Sequence, residues 1–296
     1  MSRRVVIVGD VMLDVVVKPT GPIATTSDTP ARVRIARGGS GANIAVALAA
    51  TGHHVVYVGA CGDDTGRQVV ERALREDKVE PCLEVVSGST GVVVALVGDD
   101  AQRSMLTDRG ANQRLSQAHV TTVLDEPFDH VHVSGYTLLD AETRGVGVAA
   151  LRRARDAGRT SSVDVCSVGP LRDVGAQVFL VSAREAGQLF ANAEEAMALS
   201  GCDDVDAARE TLARSFAEVV ITRGPEGADA ATSNSKAHAD SRSADVLDTT
   251  GAGDAATGAY LGARLSGATL DQALSLAMSA SAIVVRTLGA QGYSRL

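Results

Sequence analysis

The stretch Asp248-Thr249-Thr250-Gly251-Ala252-Gly253-Asp254, followed at once by Ala255-Ala256-Thr257-Gly258-Ala259-Tyr260-Leu261, decides how the rest of the chain is read. Small, flexible residues end in a carboxylate, and an apolar helix pattern begins there. A helix start leaves several backbone N–H groups without intrahelical partners and carries roughly half a positive charge. Gly251 and Gly253 would let an anion approach that backbone closely. Asp254 would stand beside the anion as a base, the pairing that phosphoryl transfer to a hydroxyl requires. The same helix start predicts a depressed pKa that keeps Asp254 ionised. Asp in a first helical turn is common, however, and glycine-rich loops are often only turns. Taken alone, the stretch leaves both readings open.

A second loop of this kind stands near the N-terminus. Gly38-Gly39-Ser40-Gly41-Ala42-Asn43 feeds the small-residue run Ile44-Ala45-Val46-Ala47-Leu48-Ala49. Asn43, with donors and an acceptor, suits a pair of sugar hydroxyls. A tight packing turn explains the glycines equally well.

These two stretches, together with four others, carry a resemblance. The others are Gly9-Asp10-Val11-Met12-Leu13-Asp14, Gly62-Asp63-Asp64-Thr65-Gly66-Arg67, Arg109-Gly110-Ala111-Asn112 and Ile221-Thr222-Arg223-Gly224-Pro225-Glu226-Gly227. In this order and over nearly the whole chain, they resemble the ribokinase-like (phosphofructokinase-B type) carbohydrate and nucleoside kinases.

The resemblance implies an α/β fold: a ribokinase-like three-layer sandwich, its mostly parallel central sheet covered by helices. The chain, 1–296, is then one kinase domain with a small β-sheet lid formed by about 15–37 and 83–108. It implies Asp254 as catalytic base, with Gly251, Ala252 and Gly253 as an anion hole. Asp14, Gly39 and Asn43 would hold the sugar, with Arg109 and Tyr136 nearby. Thr222, Gly224 and Gly227 would grip ATP. The family's Asn-x-x-Glu stretch, which organises Mg²⁺ and phosphate through water, is matched to Ser182-Ala183-Arg184-Glu185, with Ser182 in place of Asn and Glu185 retained. Asp248, Thr250 and Gly289 would form a monovalent-cation loop, for K⁺. Ser40, Met12 and Gly135-Tyr136 depart from ribokinases proper, which argues against ribose itself.

The expected activity is transfer of the γ-phosphate of ATP to a hydroxyl of a small sugar or sugar acid. A sugar phosphate or a nucleoside is the alternative substrate, and a sugar-binding sensor the non-enzyme alternative. Arg32, Arg34, Arg103 and Arg109 would serve a phosphosugar, or simply form a solvated lid surface. An NAD-dependent enzyme would need Gly145-Val146-Gly147-Val148-Ala149-Ala150 to follow a strand directly, which it does not. A serine hydrolase at Ser40 lacks a supported histidine.

Composition agrees. The chain has 296 residues, 45% of them hydrophobic, a net charge of −8 and a pI near 5.3. That argues against a nucleic-acid surface, which needs a basic face. With no Trp, four Phe and four Tyr, an extended base-stacking platform is not expected. The cysteines Cys61, Cys82, Cys166 and Cys202 fit no zinc spacing and suit a reducing cytoplasm. No apolar run is long enough for a membrane span. A homodimer through the lid is the expected assembly.

Locally, strands are predicted at Arg4–Gly9, Val55–Ala60, His130–Ser134, Ser161–Val165, Gln177–Val181 and Glu218–Thr222. Helices are predicted at Ala42–Thr51, Thr65–Lys78, Thr143–Ala157, Arg184–Phe190, Val205–Phe216, Asp254–Leu265 and Leu270–Leu288. Leu83–Val86, Gly91–Val97 and Gln102–Thr107 read as lid strands. Ala228–Ser243 reads as a mobile loop.

Overall fold

In the computed structural model, the buried run Arg4–Val8 forms strand β1. The structure describes residues 2–98, 103–242, 244–287, 289 and 292. The expected ends Gln102, Ser243 and Leu288 lie outside the described residues. After β1 come β2 (Met12–Pro19), β3 (Ala31–Gly38), α1 (Ser40–Ala49), β4 (His54–Cys61) and α2 (Thr65–Glu76). Next are β5 (Val79–Val85), β6 (Val92–Val97), β7 (Arg103–Asp108), α3 (Gln117–Leu124) and β8 (His130–Val133). The chain continues through α4 (Gly135–Leu139), α5 (Arg144–Asp156), β9 (Thr160–Asp164), α6 (Val168–Val174) and α7 (Ala176–Ala183). Then follow β10 (Gln188–Asn192), α8 (Ala193–Ser200), α9 (Val205–Leu212) and β11 (Glu218–Thr222). The last elements are β12 (Ala228–Thr232), β13 (Lys236–Ala239), α10 (Ala252–Leu265) and α11 (Leu270–Val284).

Nine strands form one sheet in the order β13-β12-β11-β10-β9-β8-β1-β4-β5. Its pairings are parallel except where β12 joins β11 and β13. Strands covered on both faces read as apolar runs, and β1 and β4 do, whereas β8 buries His130 and His132 between its valines. Two cores flank the sheet. One holds α1, α10 and α11 against Val5, Ile7 and Tyr57; the other packs Leu124, Leu151 and Phe179 against Val6, Val8 and Val131. This is the expected α/β sandwich. The four strands β3-β2-β6-β7 form a separate small sheet, with β2 and β6 parallel and the outer pairs antiparallel.

One contact positions everything that follows. A Cβ built on Gly258 in α10 would lie 2.5 Å from Ala47 Cβ and 2.8 Å from the Ile44 carbonyl in α1. The absence of that side chain lets α1 and α10 lie backbone to backbone, with their N-termini side by side.

Four local expectations are corrected. Gln177–Val181 is not a strand but part of α7, burying Phe179 and Ala183 while Val178 and Val181 face outward. Its apolar density suggested a strand, but the burial follows a helical period. Arg184–Phe190 is not a helix; β10 begins at Gln188 and pairs with β9 and β11. Tertiary pairing overrides local propensity there. Leu83–Val86 does not join the small sheet. Leu83–Val85 continue β5, whose register with Gly59–Cys61 ties them to the large sheet. Ala228–Ser243 is largely an ordered hairpin, β12 and β13, because Ala228 and Ala230 are small enough to pack under α11.

Candidate active site

The carboxyl ends of β1, β9, β10 and β11 open into a cavity of about 780 Å³ between the large sheet and the small one. Ligand clefts in open α/β sheets form at this edge. Of the residues singled out in the sequence, Asp14, Gly39, Asn43, Arg109, Tyr136, Thr222, Thr250, Gly251, Gly253 and Asp254 line it.

Asp254 sits in the first turn of α10, behind the left-handed Gly251 that starts the helix (φ 78°). Ser40 Oγ donates to its Oδ1 at 2.8 Å and Asn43 Nδ2 to its Oδ2 at 2.8 Å. Both donors come from the start of α1. Burial pushes Asp254 up to about 7, with the charges of Asp164 and Asp10 adding to the rise and the Asn43 and Ser40 bonds opposing it. The expected depression by the helix N-terminus is therefore corrected: desolvation outweighs it.

Asn43 is more committed than expected. Its Oδ1 accepts from Arg37 Nη1 at 2.7 Å, so its amide group is oriented toward Asp254. The side chain braces Asp254 instead of being free for a sugar. Asp14 projects from β2 into space that exists because residue 38 is glycine; a Cβ there would fall 2.0 Å from Asp14 Oδ1. Burial pushes Asp14 up to about 6, opposed by Arg37 and assisted by Asp10 and Asp248. At the same end, the Arg109 guanidinium lies 4.7 Å from the centre of the Tyr136 ring, with Nε 3.7 Å from Asp140 Oδ2. That Nε is buried without a hydrogen-bond partner.

The three expected anion-hole amides are not equivalent. The Ala252 N–H turns back to the Thr249 carbonyl at 3.2 Å, while Gly253 is exposed at the cavity surface. Asp248 is buried away from the cavity lining. Its Oδ1 accepts from Thr250 N and Oγ1 at 2.8 and 2.7 Å, and its Oδ2 from Gly289 N at 2.8 Å. Gly224 and Gly227 flank a short turn after β11, outside the cavity lining. A Cβ on Gly227 would meet the Ala239 carbonyl at 2.0 Å, so packing alone requires glycine there.

Ser182 and Glu185 are not brought to the cavity. Ser182 Oγ donates to the Val178 carbonyl within α7, and Glu185 pairs with Arg155 and Arg184 on the surface. An Asn-x-x-Glu stretch does exist, at Asn192-Ala193-Glu194-Glu195, where β10 passes into α8. Asn192 and Glu195 line the cavity and cap α8 reciprocally: Glu195 N donates to Asn192 Oδ1 at 2.9 Å and Asn192 N to Glu195 Oε2 at 2.8 Å. Burial pushes Glu195 up to about 7. The signal was present in the sequence as this spacing, but the misplaced strand and helix hid it.

Two further carboxylates were given no role by the sequence reading. Asp10 accepts from Ser134 Oγ at 3.1 Å and Gly41 N at 3.3 Å. Asp164, at the end of β9, accepts from the Cys166 thiol at 2.8 Å and Gly135 N at 3.1 Å, with His132 Nε2 at 3.3 Å. Burial works to raise Asp164, yet those neighbours hold it below the ordinary carboxylate range. Among the described residues, no cluster of acidic, His and Cys side chains forms a metal cage, and no helix is long and apolar enough to cross a membrane.

A family model described as pfkB family carbohydrate kinase matches residues 2–295. An ATP-dependent ribose-1-phosphate kinase of Halopiger xanaduensis is 29% identical over 272 residues, 90% of this chain and 86% of that protein. A bifunctional protein HldE of Paramagnetospirillum magneticum is 28% identical over 97% of this chain, which spans 61% of that longer protein. The crystal structure of an adenosine kinase from Sinorhizobium meliloti superposes with a TM-score of 0.88 at 23% identity, over 100% of this chain and 98% of the other.

Proposed function

The chain belongs to the pfkB family of carbohydrate kinases and is an ATP-dependent kinase; from that premise we propose that it transfers the γ-phosphate of ATP to a hydroxyl of a small sugar or sugar acid. The observation that carries this reading is that Asp254, Asp14, the glycine-rich start of α10 and the ends of β10 and β11 all line one cavity.

Asp14 accepts hydroxyl protons of the sugar and fixes its orientation. Asp254 takes the proton of the attacking hydroxyl as the phosphoryl group moves onto its oxygen. A base near neutrality is matched to that task, because it is ionised in part and holds the proton well once it has it. Gly251 and Gly253 offer backbone N–H groups to the transferring phosphoryl, and the α10 dipole favours its charge. Thr222 contacts the nucleotide at the end of β11.

Mg²⁺ neutralises phosphate charge when it is bound with ATP. The chain offers no cage for it among the described residues, which suits a hydrated ion carried largely by the nucleotide. Asn192 and Glu195 are the polar groups placed to hold its waters, in the role first expected of Ser182 and Glu185. For K⁺, Asp248 is the brace. Its bonds to Thr250 and Gly289 tie the two halves of the expected cation loop together, leaving ligation to carbonyl oxygens.

Arg109 favours an acidic acceptor. Its guanidinium lines the cavity, held over Tyr136, where a carboxylate or phosphate on the sugar would meet a positive charge. A phosphosugar is accordingly the second reading. The small sheet serves as the lid over the sugar, and exposed Val33, Ile35, Met105 and Leu106 on β3 and β7 support a homodimer through it.

The test is ATP consumption over a panel of neutral sugars, sugar acids, phosphosugars and nucleosides with Mg²⁺ and K⁺. Turnover of a sugar or sugar acid is the expected result. Tight sugar binding without any turnover would point instead to a sensor.

A further inference from the structure

The Ser40 hydroxyl stands between two carboxylates and has one proton to give. Its Oγ lies 2.8 Å from Asp254 Oδ1 and 3.2 Å from Asp164 Oδ2. Two ionised acceptors cannot share that proton equally, so one bond forms at the expense of the other. The three groups sit on packed elements. Ser40 opens α1, Asp254 lies in the first turn of α10, and Asp164 closes β9.

The other donors around the pair are already committed. Asn43 gives its N–H to Asp254 Oδ2 because Arg37 occupies its oxygen. The Cys166 thiol and the Gly135 amide give theirs to Asp164. Ser40 is thus the bridge between the two carboxylates.

We propose that Ser40 and Asp164 are positioning residues that set the base strength of Asp254: the Ser40 proton points to Asp254 while that carboxylate is ionised and turns to Asp164 once Asp254 has taken a proton. This rests on the reading of Asp254 as the base. A hydroxyl able to serve Asp254 alone would lose its bond on protonation, and that loss would hold the carboxyl acidic. Asp164 gives the same proton a second acceptor, so the bond is remade and the restraint is lifted. The charge of Asp164 adds to the effect. No proton passes from Asp254 to Asp164 in this scheme; only the hydroxyl rotates.

The charged and titratable groups around the pair are drawn from every neighbouring element. Asp10 follows β1, and Arg37 on β3 stands behind Asn43. Behind Asp164 lie His132 on β8, Cys166, and Glu195 on α8. Further along the β8–β9 seam, Ser162 Oγ sits 2.8 Å from both His132 Nδ1 and His130 Nε2. Burial pushes His130 down to about 3, with His132 adding to the effect, so His130 is neutral.

The experiment is ¹³C NMR titration of carboxyl-labelled aspartates in the full chain, assigned with Asp254→Asn. Asp164→Asn should lower the Asp254 midpoint by about one pH unit or more, a tenfold change in proton affinity. In a Ser40→Ala background the same substitution should lower it by less than about half as much. Ser40→Thr, which keeps the hydroxyl, should restore the full effect. Equal shifts in both backgrounds, or an unmoved midpoint, would overturn the proposal.

If Asp164→Asn does not fold, the Asp164 carboxyl carbon decides. Its shift should follow the Asp254 titration in wild type and Ser40→Thr and lose at least about half of that response in Ser40→Ala; an undiminished response overturns the proposal. The same proteins taken through the substrate panel separate the two readings. Coupling without turnover of any sugar or sugar acid upholds the switch and sinks the proposed transfer reaction, while turnover without coupling does the reverse.

Discussion

Asn43 Nδ2 donates to Asp254 Oδ2 at 2.8 Å, across 211 positions of sequence. The side chain expected to hold a sugar instead holds this carboxylate, and Arg37 holds it in turn. The two helix starts predicted separately therefore form one unit, and the substitutions that test it follow.

Asp254→Asn should abolish turnover of the true substrate while ATP still binds. The amide cannot take a proton from the attacking hydroxyl, but the Gly251–Gly253 backbone is untouched. Steady-state kinetics beside nucleotide-binding titration checks this. Retention of more than about a tenth of kcat, under about 1.4 kcal/mol lost, would remove Asp254 from the role.

Activity should climb with pH through neutrality. Asp254 acts ionised, and its carboxyl is raised to about 7. Only about a tenth of it is ionised at pH 6, against about nine-tenths at pH 8, so kcat should rise roughly tenfold between them. A rate already flat from pH 5 would show a far more acidic base.

Asp14→Asn should weaken substrate affinity and change the pH dependence of stability. The folded carboxyl is raised to about 6, above its ordinary 3.8. Between those values the native protein keeps a proton that the unfolded chain releases, so this group costs stability as pH rises through that window. Relative to Asp14→Asn, the wild type should lose stability from pH 4 to pH 7. Urea unfolding midpoints measured for both proteins over that range decide; parallel curves would contradict the assignment.

Glu195→Gln should lower kcat at least about tenfold and raise the Mg²⁺ concentration needed for half-maximal rate. Ser182→Ala and Glu185→Gln should stay within about twofold of wild type, because neither residue reaches the cavity. The reverse pattern in a Mg²⁺ titration of rate would restore the first assignment of the Asn-x-x-Glu role.

Arg109→Met should raise KM for a sugar acid or phosphosugar by about tenfold or more while leaving a neutral sugar nearly unaffected. A lost charge-assisted hydrogen bond is worth roughly 1.5–3 kcal/mol. Equal effects on neutral and acidic sugars would show that Arg109 only supports Tyr136.

Much of this was legible before any coordinates. Gly38–Asn43 and Asp248–Asp254 identified two helix starts, and both open the helices α1 and α10. The strands carrying buried valine runs were also readable, because a strand covered on both faces is apolar throughout. Gln177–Val181 was misread for the same reason. An apolar run is equally a buried strand or one face of a helix, and only its packing shows which. That error moved the Asn-x-x-Glu match ten residues from Asn192 to Ser182.

The sequence by itself determined which backbone segments start helices, which strands are buried and which carboxylates stand beside glycine-rich turns. Those properties depend on residue type and on near neighbours in the chain. The tertiary structure alone decided that Ser40, Asn43, Asp164 and Asp254 meet, that burial raises Asp254, and that Glu195 reaches the cavity. Desolvation and hydrogen bonding act over a few ångströms in space, and the glycine that brings α1 against α10 sets those distances from a position no spacing rule connects to them.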